Sequence, residues 1–142
     1  MNKFNNMNKT IVVFLLRGLL ALIFFMAGYG KVFKWGVEAV YSNYFEPYKE
    51  TFLPEILLKF TAYYTSYIEL AAGFLLLIGL FRNYCLYALA SVLLIVSFGH
   101  GLADPIWDLH HVFFRAVLLI ALLLLPNEWD KWSVDNLILN RK

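Results

Sequence analysis

Residues 60–103 read FTAYYTSYIELAAGFLLLIGLFRNYCLYALASVLLIVSFGHGLA. Two apolar runs, each near the ~20 residues that cross ~30 Å of hydrocarbon, meet at Arg82-Asn83. So short a connection forces the two helices to run antiparallel. Phe60–Phe81 and Tyr84–Ala103 therefore predict a membrane-spanning hairpin, closed at its far end by Asp104 and Pro105.

The pattern repeats on both sides of the hairpin. Upstream, Thr10–Tyr29 forms an apolar run behind a polar stretch with Lys3 and Lys9. Arg17 interrupts it, it is too long for a signal-peptide core, and no Ala-x-Ala site closes it, so it is expected to be a retained helix. Downstream, Leu109–Leu125 ends at Pro126 and is the shortest run. The expectation is an all-α integral membrane four-helix bundle, one domain over residues 1–142, with helices at about 10–29, 60–81, 84–103 and 109–125.

Composition agrees. The hydrophobic fraction is 61 % and the charged fraction 15 %, against ~45–50 % and ~25 % in soluble domains. Mean hydropathy is +0.65. A net charge of +2 is too small to suggest nucleic acid as a partner. The single cysteine, Cys85, cannot run a dithiol–disulfide cycle, and no zinc-type Cys/His spacing exists.

Gly30–Lys59 separates the first two spans and carries Phe33, Trp35, Tyr41, Tyr44, Phe45, Tyr48 and Phe52. Aromatic residues favour the headgroup layer, so short interfacial helices are expected there. Trp129 and Trp132 repeat the theme after Pro126. Lys3, Lys9, Arg82, Lys131, Arg141 and Lys142 share one side of a four-span topology; Lys31, Lys34, Lys49 and Lys59 lie on the other. The positive-inside rule then places both termini in the cytoplasm.

Charges inside a membrane cost about 2.5–3.5 kcal/mol each at mid-depth, so they need partners or a task. Arg17, Glu69 and Arg115 are such residues. Helical spacing puts Arg17, Ala21, Phe24, Gly28 and Lys31 on one stripe, and Ala62, Ser66, Glu69, Gly73 and Leu76 on another. Counting depth from the ends of the runs predicts one Glu69 carboxylate shared by Arg17 and Arg115. That set can bind a ligand or move a proton, or it can simply fix helix register. His100, His110 and His111 cluster toward the other end with Asp104 and Asp108. Adjacent His110 and His111 point to different faces, so proton carriage by His100 or His111 is favoured over metal ligation. Small residues, including Gly18, Gly28 and Gly73, are expected to let helix backbones approach closely.

Arg17-Gly18-Leu19 through Phe24 to Gly28 and Lys31, followed by Glu69-Leu70-Ala71-Ala72-Gly73 running into Leu76-Leu77-Ile78-Gly79-Leu80-Phe81-Arg82, resembles the DoxX family. The resemblance implies a small four-helix protein of the bacterial inner membrane. Some relatives are associated with membrane redox work, including a subunit of a thiosulfate:quinone oxidoreductase, and others with oxidative-stress complexes. Arg17, Lys31, Glu69 and Gly73 match the family pattern, and no catalytic constellation transfers with them.

Three functions compete on these residues. The first is an accessory subunit of a quinone-linked redox system, with quinone as the cofactor, a redox protein as partner, and no self-sufficient catalytic site of its own. The second is a structural or assembly role, in which the charges set packing. The third is proton or small-solute transport, which dimerisation would have to support because no inverted repeat is visible. The ligand or proton-relay candidates are Arg17, Lys31, Glu69, His100, His111 and Arg115; no metal site is expected. A bundle this small leaves little internal volume, so a homo-oligomer or partner interface is the expected place for a ligand.

Overall fold

A computed structural model of the protein describes residues 3–103 and 110–139. The expectations for Asp104, Pro105 and Asp108 fall outside these residues. The described residues are mostly helical, with no strand among them. Helix α1 runs Lys3–Tyr29, and its axis continues as a π-helical segment, Gly30–Trp35. Gly36, at φ +82°, ends that segment. Then come α2 (Val37–Val40), a second π-helical stretch (Tyr41–Phe45) and a 3-10 turn (Glu46–Glu50). The aromatic connection is therefore built of short helices, as its composition predicts.

The long helices follow. Helix α3 is Glu55–Ile78, α4 is Arg82–Ala103 and α5 is His110–Leu124; a 3-10 turn (Asn127–Trp129) leads to the short α6, Val134–Leu139. Val13, Leu20 and Phe24 of α1, Leu76 of α3, Leu86 and Leu89 of α4, and Leu119 and Leu122 of α5 form one core. A smaller core of Tyr41, Leu58 and Ala62, with Phe45 and Tyr48 against it, docks the connection on α3. Phe14, Leu19, Met26, Phe74, Tyr87, Leu94 and Ile120 face outward, as side chains that meet lipid should.

The protein is an integral membrane protein, but the spans differ from the expectation in two places. The residues from Asn5 to Trp35, α3 and α4 are long and apolar enough to cross a membrane. The described part of helix α5, His110–Leu124, is a shorter apolar helix. Helix α3 begins at Glu55 rather than Phe60, because Pro54 takes an extended conformation (ψ 140°) and starts the helix there.

The hairpin turn is Gly79-Leu80-Phe81, not Arg82-Asn83. Gly79 adopts φ +73° and donates its N–H to the Leu76 carbonyl (3.0 Å), while Leu80 donates to Leu75 (2.9 Å), a Schellman termination. Phe81 is also left-handed (φ 53°). Arg82 therefore opens α4 and is buried, which changes its role.

Helices α1 and α3 make the closest contact, and two glycines permit it. A Cβ at Gly28 would lie 2.3 Å from the Leu70 backbone nitrogen; one at Gly73 would lie 2.6 Å from the Phe25 nitrogen. Gly18 has nothing within 4 Å, so it plays no such part. Both predicted stripes face this contact: Arg17, Ala21, Phe24, Ala62, Ser66, Glu69 and Leu76 are buried.

Candidate functional site

The buried charges form two separate groups, not one. The expected sharing of Glu69 between Arg17 and Arg115 does not occur. Gly28 packs level with Glu69 and Leu70, and Arg17 lies eleven residues earlier on α1, about 16 Å away at ~1.5 Å per residue. No arginine side chain spans that. Depth counted from run ends misleads because α1 extends well past the end of α3.

Arg17 instead sits where α3 ends. Its Nη1 donates to the carbonyls of Leu76 (2.9 Å) and Leu77 (2.6 Å), and its Nη2 donates to the Trp132 carbonyl (2.8 Å). Its Nε donates to the Asp130 carboxylate, at 3.2 Å from Oδ1 and 3.1 Å from Oδ2. The last carbonyls of a helix carry partial negative charge and lack intrahelical donors, so a guanidinium fits there. Arg82 does the same for α5: its Nη2 donates to the carbonyls of Leu122 and Leu125, and its Nη1 lies 4.0 Å from Asp130 Oδ2. Asp135 completes the set by accepting the N–H groups of Phe81 (3.0 Å) and Arg82 (3.1 Å) at the start of α4. Ser133 packs against Gly79, where a Cβ would lie 2.5 Å from the serine Cβ.

This is a clasp. The segment after α5 crosses the ends of three helices and ties them through Asp130, Ser133 and Asp135. The four hydrogen bonds of Arg17 give it a structural part in this clasp. The sequence reading missed Arg82, Asp130, Ser133 and Asp135. The available signal was Asp130-Lys131-Trp132-Ser133-Val134-Asp135, a run of helix-capping residues just past Pro126. Trp129 and Trp132 suggested only a position at the membrane surface.

The second group lies at the opposite end, beside the aromatic connection. Lys31, on the π-helical extension of α1, places Nζ 2.7 Å from Glu69 Oε2. The glutamate side chain is 2 % exposed and the lysine 23 %. Cβ atoms tilt toward a helix N-terminus, so Lys31 reaches back to the level of Gly28 and Glu69. At that distance the ammonium and the carboxylate form a close ion pair.

Next to this pair is a half-open cavity of about 600 Å³. Lys31 and His100 both line it, and Trp35, Tyr44, Tyr48, Phe60 and Phe98 supply aromatic walls. Such an apolar pocket with a few polar groups is the usual form of a small-molecule site. It lies within one chain, so no second copy is needed to build it.

The other candidates are placed as follows. Arg115 is half-buried, with its guanidinium carbon 5.5 Å from the centre of the Phe24 ring, a cation–π contact in place of the expected ion pair. His111 is exposed at the start of α5, and His110 stacks on Phe114. Among the described residues no three His, Cys, Asp or Glu side chains converge.

Outside the spans, Glu38 accepts a hydrogen bond from the Tyr63 hydroxyl and lies 3.6 Å from Lys59. The Tyr63 hydrogen bond first, and Lys59 after it, hold the Glu38 carboxyl below its ordinary range. Glu46 and then Glu55 hold the Lys49 amine above its own. These contacts pin the connection over the cavity.

No curated protein and no solved structure matches the chain. The description of the DoxX family matches residues 12–101, from the first turns of α1 to the end of α4. That stretch contains Arg17, the Gly28–Leu70 and Gly73–Phe25 contacts and the Lys31–Glu69 pair, and on a match over more than half its length the chain belongs to the DoxX family.

Proposed function

We propose that this protein is an accessory subunit of a quinone-linked redox system in a bacterial inner membrane, with both termini cytoplasmic. The observation that carries the reading is the Lys31–Glu69 pair beside an aromatic-walled cavity of about 600 Å³. The Lys31 ammonium would donate a hydrogen bond to a ring carbonyl, and the aromatic walls would hold the ring. Quinol oxidation releases two electrons and two protons. The electrons pass to a redox protein partner, Glu69 takes one of the protons, and the other leaves to water through the open side of the cavity. Six basic residues on the side of the termini against four on the other support the orientation.

The test is purification in native lipid, with mass spectrometry and absorption spectroscopy of whatever stays bound. A quinone near one per chain, lost in Lys31→Met and reduced in Glu69→Gln, is the expected result. A protein that holds no quinone, and whose Trp35 emission ignores added short-chain quinone, would end this reading.

The structural role also has an observation in its favour, but at the other site. The Arg17–Asp130–Arg82 clasp ties helix ends together and needs no ligand to explain it.

A further inference from the structure

The clasp end carries a second polar feature that neither the clasp nor the redox reading uses. The first turns of α1 run past the end of α3 and lie against the 3-10 turn that follows α5. Between them is an open pocket of about 260 Å³ lined by Asn6, Lys9, Thr10, Glu128, Trp129 and Lys131. The Thr10 hydroxyl is committed to the Asn6 carbonyl at 3.2 Å. Lys9 is held in place, with Nζ 4.7 Å from the centre of the Trp129 ring. Among the described residues neither lysine, nor Glu128, forms an ion pair. The pocket thus presents two cations and one carboxylate, a net charge of +1.

Its depth is set by its neighbours. Trp129 and Trp132 are the residue type that settles at a membrane–water interface. Phe14 meets Trp132 edge-on at 5.3 Å, and Ile11, Phe14 and Leu15, within two turns of Lys9 on α1, are exposed apolar side chains. Apolar flanks therefore give way, within one or two helical turns, to a cationic pocket. That sequence of surfaces matches acyl chain, then phosphodiester.

We infer that this pocket binds the headgroup of one anionic glycerophospholipid from the leaflet on the side of the termini. The phosphodiester lies between Lys9 and Lys131, and the Glu128 carboxylate accepts a hydrogen bond from a hydroxyl of the headgroup. The net positive charge selects an anionic lipid over a zwitterionic one. Because Lys9 is already immobilised on Trp129, little side-chain freedom is lost on binding. The inference is independent of any ligand in the cavity at the other end.

The protein is reconstituted in nanodiscs of equal parts phosphatidylglycerol and phosphatidylethanolamine, then released into mild detergent for native mass spectrometry. Retention of about one phosphatidylglycerol per chain, in preference to phosphatidylethanolamine, is expected. Lys131→Gln, an exposed position with no structural partner, should lower that preference roughly fivefold. Lys9→Gln with Lys131→Gln should abolish it, Lys9→Arg with Lys131→Arg should keep it, and Lys34→Gln at the opposite end should leave it intact. Retention in the proportions of the nanodisc, or a preference unchanged in Lys131→Gln, overturns the inference. Release of the bound lipid by inorganic phosphate alone would make this a free-anion site and overturn the lipid assignment.

Discussion

Replacing Asp130 with asparagine tests whether the clasp holds the bundle together. Asp130 is 2 % exposed, and the two guanidinium groups it faces, on Arg17 and Arg82, are 1 % and 4 % exposed. Asparagine keeps the shape and one acceptor but removes the only carboxylate within 4.0 Å of either cation among the described residues. Two magnitudes compete. Removing one partner of a buried ion pair in a soluble protein costs about 3–5 kcal/mol. Polar contacts between membrane helices average about 0.6 kcal/mol and reach about 1.7, because the unfolded chain in lipid also finds partners. Here two cations lose one shared anion, which sets the case above the membrane average, while their hydrogen bonds to five backbone carbonyls survive. The expected loss is about 3 kcal/mol. Unfolding in mixed dodecylmaltoside and dodecyl sulfate micelles, followed by tryptophan emission, measures it directly, since Trp129 and Trp132 flank the site. The cycle with Arg17→Met should return a coupling of about 2 kcal/mol. If Asp130→Asn stays within about 0.5 kcal/mol of the parent protein, or the two substitutions simply add, the clasp is not what fastens these helix ends.

Three further outcomes follow from the geometry. Gly28→Ala should destabilise by about 1–3 kcal/mol through overpacking against the Leu70 backbone, 2.3 Å from the new Cβ, while Gly18→Ala, with open space around it, should be neutral or slightly stabilising in the same titration. A cycle pairing Lys31→Met with Glu69→Gln should show coupling of about 1 kcal/mol or more, and a cycle pairing Arg115→Leu with Glu69→Gln should show none within about 0.3 kcal/mol; coupling to Arg115 would restore the arrangement that counting depths suggested. Glu38 has a folded-state pKa below its unfolded value, so its contribution is present above the ordinary carboxylate range and is lost as pH falls through the lowered value. Amide protection across residues 37–45, corrected for the intrinsic pH dependence of exchange, should therefore fall at acid pH, and Glu38→Gln should remove that acid dependence; protection that ignores pH in the parent would sink the idea.

Hydropathy alone determined that this chain lies in a membrane, because composition reports the solvent directly and no packing detail alters it. Periodicity alone also put Arg17, Gly28, Lys31, Glu69 and Gly73 on inward stripes, since a helix fixes which residues share a face. What neither could supply was the offset between helices. Counting from run ends placed Arg17 near Glu69, whereas the sliding of α1 along α3 is fixed by Gly28 against Leu70 and Gly73 against Phe25. That offset separates Arg17 from Glu69 and leaves Lys31 as the partner. The clasp was illegible for a related reason. Asp130 and Arg17 are 113 residues apart, and no local pattern reveals which buried cation a carboxylate after the last long helix will meet. Arg82 looked like a loop residue because the apolar run continues through Phe81, whereas Gly79 ends α3 three residues before Arg82. Side-chain faces follow from the local geometry of one helix; the partners across those faces follow from how the helices slide, which is a property of their packing together.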